Sequence, residues 1–242
     1  MITNEILSSL IRGEGTGEDI EHINIVQPKA EILKFTSPTG ADCILNIEKI
    51  ARVCYKSEDK ITGNVDDAIN FLKRTIFRNK ENPHESVIEH EGATVRFTCD
   101  RGVSHEIVRH RIASFSQEST RYCNYSKDKY DNKLYIIDPT DAFGWDYNTP
   151  EGAKKIIAWG RSVEFAAKTY LDMIEMGCAP QEARDVLPNS LKTEIVVTMN
   201  MRGWRHFFKL RDDNAAHPQM RQLAGPLHEE FKKQIPFLFD DI

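Results

Sequence analysis

Within fourteen residues, Arg109-His110-Arg111-Ile112-Ala113-Ser114-Phe115-Ser116-Gln117-Glu118-Ser119-Thr120-Arg121-Tyr122 brings together three arginines, a histidine and a run of hydroxyl and amide side chains. A guanidinium is the group suited to bidentate recognition of phosphate or carboxylate. The hydroxyls and backbone N–H groups that follow, with Arg121, could together hold a phosphate, as anion sites do. No Gly-rich fingerprint of the Rossmann or P-loop kind accompanies them. From Arg101 to Arg121 four arginines face Glu106 and Glu118, a local charge of +2, with His105 and His110 in addition. A second window, 196–225, sets Arg202, Arg205, Lys209, Arg211 and Arg221 against Asp212 and Asp213, a local +3.

These windows oppose the rest of the chain, whose 242 residues carry a net charge of −5. That sign argues against a general binder of nucleic acid or of a membrane surface. It favours a small polyanionic ligand, such as a nucleotide. With 40 % hydrophobic and 29 % charged residues, the chain can bury a core and stay soluble, which excludes collagen-like, disulfide-rich and disordered classes. No apolar run approaches the roughly 18–20 residues of a membrane span. The first residues carry acids where a signal peptide would carry lysines. Five cysteines without a C-x-x-C pair suit a reducing cytoplasm and neither a zinc ribbon nor a disulfide framework.

The elements that must position these groups read as α+β. Glu31–Thr36 and Ala41–Ile47, flanking Ser-Pro-Thr-Gly, predict a hairpin. Helical spacing predicts a helix over Val65–Asn79, with Gly63–Asn64 as its start signal. Ala93–Cys99 alternates as a half-buried strand, and Val103–Ile112 is expected to be the helix that delivers the first cationic cluster. Leu134–Ile137 predicts a short strand closed by Asp138-Pro139. A long helix over Glu151–Met176 should stop at Gly177, and Pro180 should open a helical turn. Thr193–Met199 predicts a strand, Met201–Arg211 an amphipathic helix, and His217–Ile235 a last helix interrupted at Pro226. Residues 1–25 are polar and expected at the periphery, leaving 26–242 as the main domain.

Arg109-His110-Arg111, seven residues, then Ser119-x-Arg121-Tyr122 resembles the signature of the flavin-dependent thymidylate synthases. The resemblance extends to Ala51-Arg52-Val53-Cys54-Tyr55, His84-Glu85-Ser86-Val87-Ile88-Glu89-His90, Ala183-Arg184-x-x-Leu187-Pro188 and Asn200-x-Arg202…His206…Leu210-Arg211. It implies a mixed sheet packed with long helices in a single domain. It also implies reductive methylation of dUMP to dTMP, with 5,10-methylenetetrahydrofolate and NADPH as co-substrates and FAD as cofactor. By the same resemblance, FAD contacts fall to Ser86, Arg109, His110, Arg111, Gln117, Asn200, Met201, Arg202 and His206. Contacts to dUMP fall to Glu106, Ile107, Val108, Arg109, Gln117, Glu118, Ser119, Thr120, Arg121, Arg184 and Arg211. Arg211 is assigned the catalytic role, stabilising negative charge on the O2/N3 edge of the pyrimidine. The family is a homotetramer with sites shared between subunits. Gln117 stands where the motif also allows Glu, and Glu91-Gly92 reads as a small insertion before the strand.

Other reactive side chains have plainer readings. His84 and His90, six residues apart, fit neither i,i+4 ligation nor a known zinc spacing, so no metal site is expected. Cys54 and Cys123 are expected as small buried hydrophobes, and no cysteine sits in a nucleophile setting. His217 and Asp212–Asp213 read as structural, and Trp145, Trp159 and Trp204 as core or interface aromatics. Two alternatives remain from the residues: a flavoenzyme of the same fold with changed substrate use, and a nucleotide or RNA binder without catalysis. The second would need exposed aromatics for stacking, and only Phe115 and Tyr122 interleave with the first cluster.

Overall fold

The computed structural model describes residues 1–15, 19–78 and 83–242. It divides into two compact units, each assembled from three separate segments of the chain. The first takes Met1–Lys29, Thr98–Ile107 and Gln117–Ile195, and the second takes Ala30–Phe97, Val108–Ser116 and Val196–Ile242.

The first unit is organised by α6, Pro150–Glu175, whose start is set by the Thr149 side chain accepting from Gly152 N at 3.1 Å. Its buried stripe of Ile156, Gly160, Val163, Ala167 and Tyr170 follows helical spacing. Gly177, at φ +95°, ends the run in the left-handed region that glycine tolerates. Against that stripe packs α1, Asn4–Gly13, through Leu7 and Ile11. Gly160 permits the contact, since a Cβ there would come within 2.6 Å of the Leu7 side chain. Strand β1, Ile23–Val26, pairs in parallel with β5, Leu134–Ile137, with Ile23 opposite Leu134. Buried Asp138, next in the chain, accepts from Ile2 N, Gln27 Nε2, Thr140 N and Thr140 Oγ1 at 2.6–2.8 Å. Residues 1–25, expected at the periphery, therefore contribute a helix, a strand and core side chains. Short helices α4 (Arg101–Ile107), α5 (Thr140–Phe143) and α7 (Pro180–Ala183) complete the unit.

The second unit carries most of a four-stranded sheet of β2 (Lys29–Phe35), β3 (Gly92–Asp100), β4 (Ala113–Gln117) and β6 (Lys192–Asn200), in the order β2-β3-β6-β4. Alternation places Ala93, Val95 and Phe97 of β3, and Val197 and Met199 of β6, in the core. The helices are α2 (Gly40–Val53), α3 (Val65–Thr75), α8 (Met201–Arg211) and α9 (Pro218–Gln234). Trp204, Phe207, Phe208, Phe231 and Phe239 form the aromatic centre, and Trp204 Nε1 donates to the Ala93 carbonyl at 3.1 Å. Arg52 is buried with Glu48 at 2.7 Å and lies over the Phe71 ring at 4.1 Å.

Several expected elements change. Ala41–Ile47 is helix rather than strand, because the Thr39 side chain caps Asp42 N at 3.1 Å and Cys43, Ile44, Ile47 and Ala51 line one helical face. The Ser-Pro-Thr-Gly sequence is a helix start, so no hairpin forms there. The helix from Val65 ends at Thr75, and Asn79 lies outside the described residues. The helix before the motif stops at Ile107 instead of continuing to Ile112. Pro226 does not interrupt α9, whose flanking Leu223, Leu227 and Phe231 are buried. Cys54 is exposed, not buried. No described helix is long and apolar enough to cross a membrane.

At the start of α2, a Cβ on Gly40 would lie 1.6 Å from the Gln234 carbonyl oxygen, a backbone atom that cannot swing aside. Gly40→Ala should therefore destabilise the chain by about 1–3 kcal/mol or more, as overpacking does. Urea denaturation followed by circular dichroism measures this, and an unchanged midpoint would refute the close approach.

Candidate functional site

In the second unit the motif begins as a turn and enters β4, a strand that the hydroxyl-rich sequence did not announce. His110 is 6 % exposed and packs on Phe207 at 5.0 Å between ring centroids, with His206 edge-on at 5.9 Å. Arg211 Nε donates to His110 Nε2 at 2.9 Å. A guanidinium has no acceptor, so His110 Nε2 must carry a lone pair and the ring proton sits on Nδ1. Burial, the Arg211 charge and His206 together lower the His110 pKa to about 4. Three of the expected residues, His110, His206 and Arg211, are thus brought together. Arg109 and Arg111 on either side are exposed. Ile112 adopts φ +63° while 88 % exposed, an outlier conformation for a β-branched side chain. That is a backbone constraint which residue type alone hides.

Asn200 caps α8, its side-chain oxygen accepting from Gly203 N at 2.8 Å. Met201 is fully buried, so only its backbone could meet a ligand. The next residue, Arg202, is half exposed, with Glu89 at 2.5 Å and Glu85 at 3.5 Å. Between those carboxylates, on the 3-10 helix Glu85–His90, Ser86 is exposed. Sequence reasoning weighed the histidines of this segment and missed its glutamates, although both stood in the quoted motif.

In the first unit, Gln117 Nε2 donates to Ser104 Oγ at 2.9 Å and to Thr193 Oγ1 at 3.3 Å. Ser104 Oγ donates in turn to the Arg101 carbonyl, so it accepts from Gln117, which fixes the amide's orientation and leaves Oε1 as an acceptor. Glu118 pairs with Lys192 at 3.2 Å, and Lys192 also reaches Glu194 at 3.0 Å. No spacing signal pointed to Ser104, Thr193 or Lys192. Ile107 is fully buried and Thr120 nearly so, while Glu106 and Ser119 are half-buried and Val108, in the second unit, is exposed. Arg121 is exposed over the Tyr122 ring, and Arg184 is exposed at the end of α7. Among the described residues no group of three or more His, Cys, Asp or Glu side chains is placed to hold a metal ion.

The α+β frame presents exposed guanidiniums from both cationic windows, Arg109, Arg111, Arg121 and Arg202 among them, a group that can recognise phosphate bidentately. Residues 40–237 match the family model described as thymidylate synthase complementing protein, and the chain belongs to that family. It is 34 % identical over 158 residues to a flavin-dependent thymidylate synthase of Pyrococcus abyssi. That alignment covers 62 % of this chain and 59 % of the relative, so the chain spans less than two thirds of the relative's length. Two solved structures share the fold. The flavin-dependent thymidylate synthase of Helicobacter pylori, complexed with FAD and dUMP, aligns with a TM-score of 0.66 at 21 % identity, over 88 % of this chain and 98 % of that one. A UMP/dUMP methylase of Streptomyces cacaoi, bound with 5-Br dUMP, gives 0.70 at 23 % identity, over 91 % and 96 %.

The buried imidazole makes stability depend on pH. Its folded pKa of about 4 lies below the unfolded value of about 6.5, so the unfolded chain takes up the proton first. The contribution is complete above pH 6.5 and is lost as the pH falls toward 4, by at most about 3 kcal/mol. His110→Gln keeps an acceptor near the Nε2 position without titrating. Urea midpoints taken at pH 7 and pH 5 should fall less for this variant than for the wild type; equal falls would mean that His110 is not held neutral.

Proposed function

We propose that the chain converts dUMP to dTMP by reductive methylation, with 5,10-methylenetetrahydrofolate as one-carbon donor and NADPH as reductant through bound FAD. The observation that carries this reading is Arg211 donating to a neutral, buried His110 inside the Arg-His-Arg motif. Family membership supports it.

The donor set fits FAD. Arg109, Arg111 and Arg202 offer exposed guanidiniums for a diphosphate, with Ser86 and His206 exposed on the same unit. Arg202 comes already flanked by carboxylates, and Asn200 is committed to its cap, so their contributions are narrower than the resemblance implies. When bound, FAD supplies the hydride equivalent that converts the transferred one-carbon unit into a methyl group. Everything else falls to the chain's own residues. Arg211, oriented through Nε by His110, stabilises the negative charge that develops as the pyrimidine N3 loses its proton. Removing one such donor costs about 3–4 kcal/mol. Ser119, Thr120, Arg121 and Arg184 bind the nucleotide's sugar and phosphate, and Glu106–Arg109 supply further nucleotide contacts. Gln117 presents a neutral acceptor to the ligand. Glu118, paired with Lys192, adds little repulsion toward a phosphate. No cysteine acts as the nucleophile; burial raises the pKa values of the Cys43 and Cys99 thiols well above neutrality. The protein works in the cytoplasm as a homotetramer with sites shared between subunits.

Tritium release from [5-³H]dUMP with FAD, NADPH and methylenetetrahydrofolate tests the reaction, and [5-³H]UMP in parallel tests the sugar preference. A colourless protein that binds dUMP but releases no tritium after reconstitution with FAD would instead be a nucleotide binder. Arg211→Ala should retain FAD and lose roughly 10²–10³-fold in turnover. Arg211→Lys should recover little, because a point charge lacks the planar fork. Normal turnover in Arg211→Ala would remove the residue from the mechanism.

A shared site adds a complementation test. Arg211→Ala and Arg121→Ala chains, each inactive, are unfolded and refolded together. A two-fold interface builds two equivalent sites, so each mixed pair should contain one site free of both lesions. Activity should return in the mixture; mixed tetramers, verified by mass spectrometry, that stay inactive would show that each site is built within one chain.

A further inference from the structure

The buried face of α8 runs through Met201, Trp204, Arg205 and Phe208, a spacing that normally selects apolar residues throughout. Arg205 breaks the pattern at 1 % exposure. Its Nε donates to Glu85 Oε1 at 2.9 Å, and its two terminal nitrogens engage Asp241 at 2.6 and 2.8 Å. The Leu238 carbonyl accepts from it as well, and the Phe77 ring lies 4.7 Å from the guanidinium carbon. Burial disfavours its charge, but Asp241 and Glu85 more than offset that, and its pKa is raised. Asp241, in turn, is held below the usual carboxylate range by Arg205, against the opposing effect of burial.

Glu85 divides its two oxygens between neighbouring turns of α8, Oε1 to Arg205 and Oε2 toward Arg202 Nε at 3.5 Å. Arg202 also holds Glu89. The 3-10 helix Glu85–His90 is therefore pinned at two points, with Ser86 between them. A well-packed apolar side chain at position 205 would serve stability as well as a buried ion pair or better. What the guanidinium adds is a directional link from Asp241 through Glu85 to Ser86 and Arg202.

We propose that Arg205 is a positioning residue for flavin binding, holding Glu85 so that Ser86 and Arg202 meet the cofactor in a fixed geometry. The inference rests on the reading that Ser86 and Arg202 contact FAD. Full-length Arg205→Lys, Asp241→Asn, Arg202→Ala and the double variant Arg202→Ala/Arg205→Lys are titrated with FAD by fluorescence quenching and with dUMP by calorimetry, and thermal midpoints are recorded for each. Lysine keeps the charge but cannot bridge Glu85 and Asp241 as a fork. Arg205→Lys should weaken FAD about tenfold, equivalent to about 1.4 kcal/mol, and leave dUMP affinity within about twofold. Asp241→Asn should shift FAD affinity in the same direction by less, and it carries the test if the lysine variant fails to fold. The double variant should lose less FAD affinity than the sum of the two single losses, since the part of Arg205 that acts through Arg202 is already gone. Wild-type FAD affinity in both Arg205→Lys and Asp241→Asn, or additive losses in the double variant, would overturn the inference while sparing the flavin reading. If Arg202→Ala itself binds FAD like the wild type, both the inference and the assignment of Arg202 fail.

Discussion

A guanidinium can only donate hydrogen bonds, so each arginine that the second unit holds in a fixed position takes an acceptor from the fold. Arg205 takes Glu85 and Asp241, Arg202 takes Glu89, Arg52 takes Glu48, and Arg211 takes an imidazole. The last pairing differs in kind. Neutral His110 orients the group through Nε without itself bringing a negative charge to it. Burial of His110 against Phe207 keeps that imidazole neutral, so the aromatic centre of the unit and the chemistry proposed for Arg211 share one physical cause.

The elements that sequence patterning locates well are those where several local signals agree. Leu134–Ile137 and Met201–Arg211 have the expected bounds, and Pro150–Glu175 differs from its expected range by one residue at each end. Apolar period, a capping side chain and a terminal glycine or cap point the same way in the long helix. Ala41–Ile47 misleads because a short apolar run fits strand and helix equally, and only the Thr39 cap and the continuation through Ala51 decide. The first 25 residues mislead for a different reason. Their composition is polar, but burial depends on which few apolar residues share a face, and Leu7 and Ile11 do.

The candidate site divides along similar lines. Arginine at an unusual density in an acidic chain is visible by residue type, and so is the motif around it. Acceptors are not visible, because the partner of Arg205 or Arg211 is chosen by tertiary packing across about a hundred residues of sequence. The left-handed backbone at Ile112 is hidden too, since nothing in a β-branched residue advertises it.

The interleaving of the two units bears on how the chain is made. Neither unit is a continuous stretch: the first draws its last segment from Gln117–Ile195, and the second from Val196–Ile242. On a ribosome adding about 5–20 residues per second, neither could close as its opening segments emerged. The pairing of β1 with β5 must wait for more than a hundred intervening residues. The sheet of the second unit must wait for β6, by which time the long helix α6 has been made. Nascent β3 therefore waits from Asp100 until Lys192 is made before its neighbour β6 can join it, and the protein relies on late, long-range collapse and on whatever shields that strand edge in the cell until then.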